Sequence, residues 1–342
     1  MNTKAMRTDV VIIGAGPVGL FAAFECGMLG LECCVVDALS HVGGQCVALY
    51  PEKPIFDIPA LPRVTAADLI ERLMEQASPF DPTILLSAEV CSLDKGASAA
   101  WQLVLSTGQT IECSAVIIAT GAGRLRPNRP DWIGLQRFEG RNVHYGVTQK
   151  AQFAGRTVVI TGGGDSAADW SVELADIAQK VYLIHRRERF RAAPETLQKI
   201  HRLAERGKIE LLAPANVLAL DGEGERLQRM QIEMAGLRRW IDCDDALLFF
   251  GLKNEGSSYA RWGLVTDGSE IRVNAKTCAT NLAGVFAVGD VATRPNKLKL
   301  ILSGFSEAAT ASHQAYTFCR PGEDLFFEYS TARGAPARLL TS

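Results

Sequence analysis

Gly14-Ala15-Gly16-Pro17-Val18-Gly19 and Gly162-Gly163-Gly164-Asp165-Ser166-Ala167 are two glycine turns, each set between an apolar run and a helical stretch. Such a turn can hold the pyrophosphate of a dinucleotide. One glycine permits the sharp bend, the next lets phosphate approach the backbone, and the third lets the helix pack close to the strand. The helix N-terminus that follows favours the phosphate charge. The two turns differ in what ends the next strand. DVVIIGAG leads through a helix to about Leu29 and on to CCVVD, so Asp37 stands where a carboxylate accepts hydrogen bonds from a ribose diol. TVVIT leads to VYLIHRR, so Arg186 and Arg187 stand in that place, with Arg191 close behind in HRRERFR. Arginines there can clamp a 2′-phosphate bidentately.

One site is therefore acid-ended and the other arginine-ended, and the economical assignment is FAD for the first and NADPH, rather than NADH, for the second. Gly14, Gly16, Pro17, Gly19 and Asp37 are expected to hold FAD. Gly162, Gly164, Asp165, Ser166, Arg186, Arg187 and Arg191 are expected to hold NADPH. Two redox cofactors imply an oxidoreductase. AVIIATGAG (115–123) ends a strand in an ATG turn, and GVFAVGD (284–290) ends a short strand in Asp290, suited to the ribityl or phosphate end of FAD.

These elements predict an α/β protein of two Rossmann-like dinucleotide-binding domains, of the three-layer ββα type. The expected FAD domain is split into residues 1–122 and 251–342 by an inserted NADPH domain at 123–250. A length of 342 residues suits two cores. The net charge of −2 exerts no global pull toward nucleic acid or anionic lipid. The apolar run Val10–Val36 carries only Glu25 as a charge, yet it breaks at GAGPVG and reads as a buried βαβ unit, not a membrane span. No signal-peptide apolar core precedes the first strand, and the expected location is the cytoplasm. Nine cysteines, an odd number without any CxxC, argue against a disulfide framework and a thiolate metal site. No metal is expected.

The residues resemble the two-dinucleotide-domain flavoproteins, and within them the thioredoxin-reductase group. That group carries a CxxC just before the first strand of its NADPH domain. The equivalent stretch here is Tyr145-Gly146-Val147-Thr148, without a dithiol. The glutathione-reductase group uses CxxxxC after the second strand of the FAD domain. Cys46 occupies nearly that place, but five residues on stands Pro51, with which no disulfide can form. The closer likeness is to the thioredoxin-reductase-like type of ferredoxin–NADP(+) reductase. GGQCVALYPEKPIFDIPALP, GGGDSAADW, the HRR and FR pair, GVFAVGD, KLKLILSGFSEAA (297–309) and Tyr329-Ser330-Thr331 carry it, over essentially the whole chain.

The resemblance implies further FAD contacts at Gln45, Val90, Leu125, Asp290 and Thr331. It implies Tyr50 stacked on one face of the isoalloxazine and Tyr329 on the other, in its own subunit or across a homodimer. It also implies an activity: hydride transfer from NADPH to N5 of FAD, then two single-electron transfers to ferredoxin or a similar one-electron carrier. That chemistry rests on positioning and electrostatics, with no acid–base residue required. Lys297–Glu307 reads as a helix aimed at the flavin, with Lys297 or Lys299 adding positive charge there. Arg124, Arg126 and Arg129 are a candidate basic surface for an acidic carrier. The principal alternative is an NADPH-dependent disulfide reductase using Cys46 alone. A redox sensor and an oxygenase are less well served, because no appended sensing or substrate sequence is evident.

Overall fold

The computed structural model describes residues 5–96, 101–123, 125–254 and 259–325; Arg124, Tyr329 and Thr331 lie outside them. The chain forms two compact units. One is drawn from the chain before residue 125 and from residue 254 onward, and the other is Leu125–Lys253.

The first unit begins with strand β1 (Met6–Ile13), helix α1 (Pro17–Met28), strand β2 (Cys33–Val36) and the short helix α2 (Gly44–Leu49). Helix α3 (Ala66–Ala77) and strands β3 (Thr83–Leu85), β4 (Val90–Lys95), β5 (Trp101–Leu105) and β6 (Thr110–Ile118) follow. In the middle unit, strands β7 (Val143–His144) and β8 (Thr157–Thr161) precede helix α4 (Asp165–Ala175). Next come strand β9 (Lys180–Ile184), helix α5 (Pro194–Glu205) and strand β10 (Ile209–Leu212). Strands β11 (Ala215–Glu223), β12 (Arg226–Met234), β13 (Leu237–Asp242) and β14 (Asp245–Leu248) complete it. The returning chain adds strand β15 (Val285–Ala287) and helix α6 (Ile301–Cys319) to the first unit.

The main sheet of the first unit runs β3-β2-β1-β6-β5-β4, with β15 pairing to β6. β1, β2, β3, β6 and β15 are parallel, whereas the outer pairings β6–β5 and β5–β4 are antiparallel. The apolar run at the end of β1 (Val10 to Ile13) is buried because helices cover one side and the β4–β5 ribbon with its neighbours the other. The stretch Val10–Val36 is thus strand, helix, strand, and among the described residues no helix is long and apolar enough to cross a membrane. α1 and α6 lie together: Cys26 Sγ is 3.6 Å from Ser312 Oγ, and the Phe21 and Phe305 rings are 5.0 Å apart. Small residues on both helices, Ala22, Ala23, Ala308 and Ala311, permit that approach.

The middle unit has a fully parallel sheet, β7-β14-β8-β9-β10, and a separate antiparallel sheet, β11-β12-β13. Its core joins Val159, Leu220, Met230 and Ile232 from both sheets with Phe138 from the short helix Leu135–Phe138. Each unit therefore presents the carboxyl end of a central parallel strand to a glycine turn, which is where α/β sheets place their ligands.

One expected element differs. Residues 297–300 are not helical, and α6 begins only at Ile301. Asn296 takes a left-handed φ of +59°, and the Lys297 side chain turns inward to Glu307, so the segment enters α6 as an extended strap.

Candidate functional site

The first glycine turn is closed by backbone packing. Gly14 has φ +113°, and a Cβ there would lie 2.4 Å from the Ala119 carbonyl oxygen. A Cβ on Gly19 would sit 1.8 Å from the Gly14 oxygen, so α1 can approach the strand only with glycine at that position. Around Gly16 the reverse holds: nothing lies within 4 Å of where its Cβ would be. That open space, at the N-terminus of a twelve-residue helix started by Pro17, fits a diphosphate.

Asp37 is pinned at the end of β2. Its Oδ2 accepts from the Ala15 N–H at 2.7 Å and its Oδ1 from the Leu39 N–H at 2.8 Å. Each oxygen keeps a lone pair that can accept from a ribose hydroxyl. The Asp37 carbonyl accepts from the Ala88 N–H at 2.9 Å, which brings Val90, buried at the start of β4, close to the same end.

The glycine pair of GGQ folds back onto this turn, with the Gly43 N–H donating to the Ala15 carbonyl at 2.8 Å. Gln45 then reaches the ATG turn, its Nε2 donating to the Gly123 carbonyl at 3.3 Å. Tyr50 caps α2, one turn beyond Cys46, and the two side chains meet at 3.7 Å between Sγ and phenolic oxygen. Burial raises the Tyr50 phenol, and the neighbouring Cys46 and the Asp290 carboxylate add to the shift. Burial likewise raises the Cys46 thiol, against the Tyr50 hydrogen bond and with help from Asp290. Cys46 is only 5% exposed, and all nine cysteines of the chain are free thiols. A buried thiol held protonated is a poor nucleophile.

Lys297 and Lys299 do not supply free charge. Lys297 is buried against Glu307, and Lys299 pairs with Glu270. Glu307 also accepts from the Gly289 N–H at 2.9 Å and meets Arg294 at 3.3 Å, so it ties α6 to the turn that carries Asp290. Sequence reasoning missed this network. Its signal was a lone acid among the small residues of SGFSEAATA, ten positions after a lysine.

The second turn is built alike. Gly164 stands before α4 with nothing within 4 Å of its Cβ position, and Asp165 and Ser166 are exposed at the start of that helix. A Cβ on Gly163 would strike the His185 ring at 2.2 Å. Directly after β9, Arg186, Arg187 and Arg191 are exposed, and none forms an ion pair with a described residue. Burial, with the charges of Arg187, Arg186 and Arg191, holds His185 below the ordinary histidine value. Three uncompensated guanidinium groups beside a glycine turn can take a phosphate monoester in addition to a pyrophosphate.

Three further residues lie in the middle unit. Leu125 opens a short strand, Leu125–Pro127, as the first residue of the middle unit. Arg129 is committed to both carboxylate oxygens of Glu139 at 2.7 Å, which reduces what the basic surface can offer. His144 lies 3.3 Å from the buried Asp245, a structural contact.

The family model "Pyridine nucleotide-disulphide oxidoreductase" matches residues 8–315. The chain is 51% identical over 339 residues to a protein of Rhodospirillum rubrum named ferredoxin--NADP reductase, covering 98% of each. It is 50% identical over 340 residues to one of the same name from Gluconacetobacter diazotrophicus, covering 99% of each. In fold it is similar to thioredoxin reductase from T. acidophilum, with a TM-score of 0.76 at 23% identity over 91% of this chain and 98% of that one. With two glycine turns of the expected build and relatives matched end to end, this chain belongs to the pyridine nucleotide-disulphide oxidoreductase family, in its ferredoxin–NADP reductase branch.

Proposed function

We propose that this chain is a flavoenzyme that passes electrons between NADPH and ferredoxin, without a thiol relay. The observation that carries the reading is the likeness, at about half identity over nearly full length, to relatives named ferredoxin--NADP reductase. Bound FAD supplies the conversion between two-electron nicotinamide chemistry and one-electron carriers.

The protein's own residues bind and orient. Gly14, Gly16, Pro17 and Gly19 form the pyrophosphate cradle, and Asp37 holds the adenosine ribose with both carboxylate oxygens already fixed. Gln45 braces the GGQ turn against the ATG turn. Tyr50 offers a ring face to the isoalloxazine, and Asp290 holds the ribityl end. Gly162, Gly164 and Ser166 receive the NADPH pyrophosphate, and Arg186, Arg187 and Arg191 receive its 2′-phosphate. No proton needs to be moved by a side chain in hydride or single-electron transfer. Tyr329 and Thr331 keep the roles that the resemblance implies. A cytoplasmic homodimer belongs to the same reading, supported by the family likeness and by nine unpaired thiols.

A disulfide reductase acting through Cys46 is disfavoured by that thiol's burial and its raised pKa. The test is steady-state reduction of purified ferredoxins and of low-molecular-weight disulfides, each with NADPH and with NADH. Ferredoxin reduction preferring NADPH is expected. Turnover of disulfides alone, or preference for NADH, would overturn the reading.

A further inference from the structure

The loop from His185 to Arg191 carries four arginines in seven residues, and like charges so close push a free loop apart. Three pins hold it. The His185 ring occupies the space over Gly163, with the Phe190 ring 5.0 Å from it, so the loop's apolar residue faces inward and its arginines stay exposed. The Arg191 N–H donates to the Gly163 carbonyl at 2.6 Å. Two residues on, the Ala193 N–H donates to Oδ1 of Asp165 at 3.0 Å. Asp165 is the first residue of α4, and Ala193 immediately precedes Pro194, the first residue of α5.

This arrangement gives Asp165 a task other than touching the cofactor. A carboxylate aimed at a phosphate would repel it, whereas one accepting a backbone N–H fixes the far end of the arginine loop to the helix that receives the pyrophosphate. We propose that Asp165 is a positioning residue for 2′-phosphate selectivity, clamping the Arg186–Arg187–Arg191 loop through the Ala193 N–H. The inference rests on the arginine-ended turn being the NADPH site.

Calorimetric titration of the holoenzyme with 2′,5′-ADP and with 5′-AMP tests it without turnover. Asp165→Ala should weaken 2′,5′-ADP about three- to tenfold, the net worth of one ordinary hydrogen bond, and leave 5′-AMP within about twofold. Asp165→Asn keeps an acceptor oxygen and should bind 2′,5′-ADP at least as tightly as the wild type. Tighter binding in both variants would mean that the carboxylate only repels. No change in either, or an equal loss for both ligands, would equally overturn the clamp. Arg186→Ala/Arg187→Ala reports separately on the underlying reading. If that variant binds 2′,5′-ADP as the wild type does, the turn is not the 2′-phosphate site, whatever Asp165 does.

Discussion

Lys297 and Glu307 form an ion pair that water barely reaches: Nζ lies 2.7 and 2.6 Å from the two carboxylate oxygens, and each side chain is 5% exposed. The same carboxylate accepts the Gly289 N–H, one residue before Asp290. A charge pair stripped of water is held together by its geometry and is costly to halve. Lys297→Met leaves Arg294, at 3.3 Å, as the remaining cation. We expect it to lower stability by about 3 kcal/mol, at the lower edge of such losses, seen as a fall in the urea midpoint. Lys297→Met/Glu307→Leu should recover part of that loss.

The glycines of the first turn separate folding from ligand binding. Gly16→Ala places a methyl group in open space, so the apoprotein should melt within a few degrees of the wild type while FAD affinity falls at least about tenfold, the loss of one well-placed phosphate contact. Gly19→Ala drives a Cβ into the Gly14 carbonyl and should compromise the apoprotein itself. Differential scanning fluorimetry with and without FAD distinguishes the two.

Arg186→Ala/Arg187→Ala removes two of the three uncompensated guanidinium groups. The KM for NADPH should rise about ten- to a hundredfold, and that for NADH should change little. Initial rates with both nucleotides check this.

The buried thiols predict a direction for alkaline pH. Burial pushes Cys33, Cys113, Cys243 and Cys319 up to about 12. The unfolded chain loses these protons near the ordinary thiol value, so the fold holds more protons above that pH. Stability is then complete below about pH 8.5 and declines toward 12, by up to about 1.4 kcal/mol per pH unit for each thiol. Urea midpoints at pH 8 and pH 10 should fall accordingly, and less so in Cys33→Ala/Cys113→Ala when each protein is compared with its own midpoint at pH 8.

Much of the fold and the two turns was legible because local rules suffice there. GxGxxG between an apolar strand and a helix admits few structures, and the exchange of Asp37 for Arg186 and Arg187 at the strand end is read directly. What escaped was long-range pairing. KLKLILSGFSEAA scans as one helical stretch, yet Lys297 turns back to a carboxylate ten residues away, an arrangement set by burial and not by propensity. Asp165 reads as a phosphate-site residue from its position in the motif, but its Ala193 partner is 28 residues distant.

The central claim is that electrons reach the carrier from the flavin without a cysteine. NADPH-dependent ferredoxin reduction by Cys46→Ser tests it most directly. The account predicts a rate within about twofold of the wild type, since a raised, buried thiol takes no part. Loss of ferredoxin reduction in a folded, FAD-loaded Cys46→Ser enzyme would contradict it.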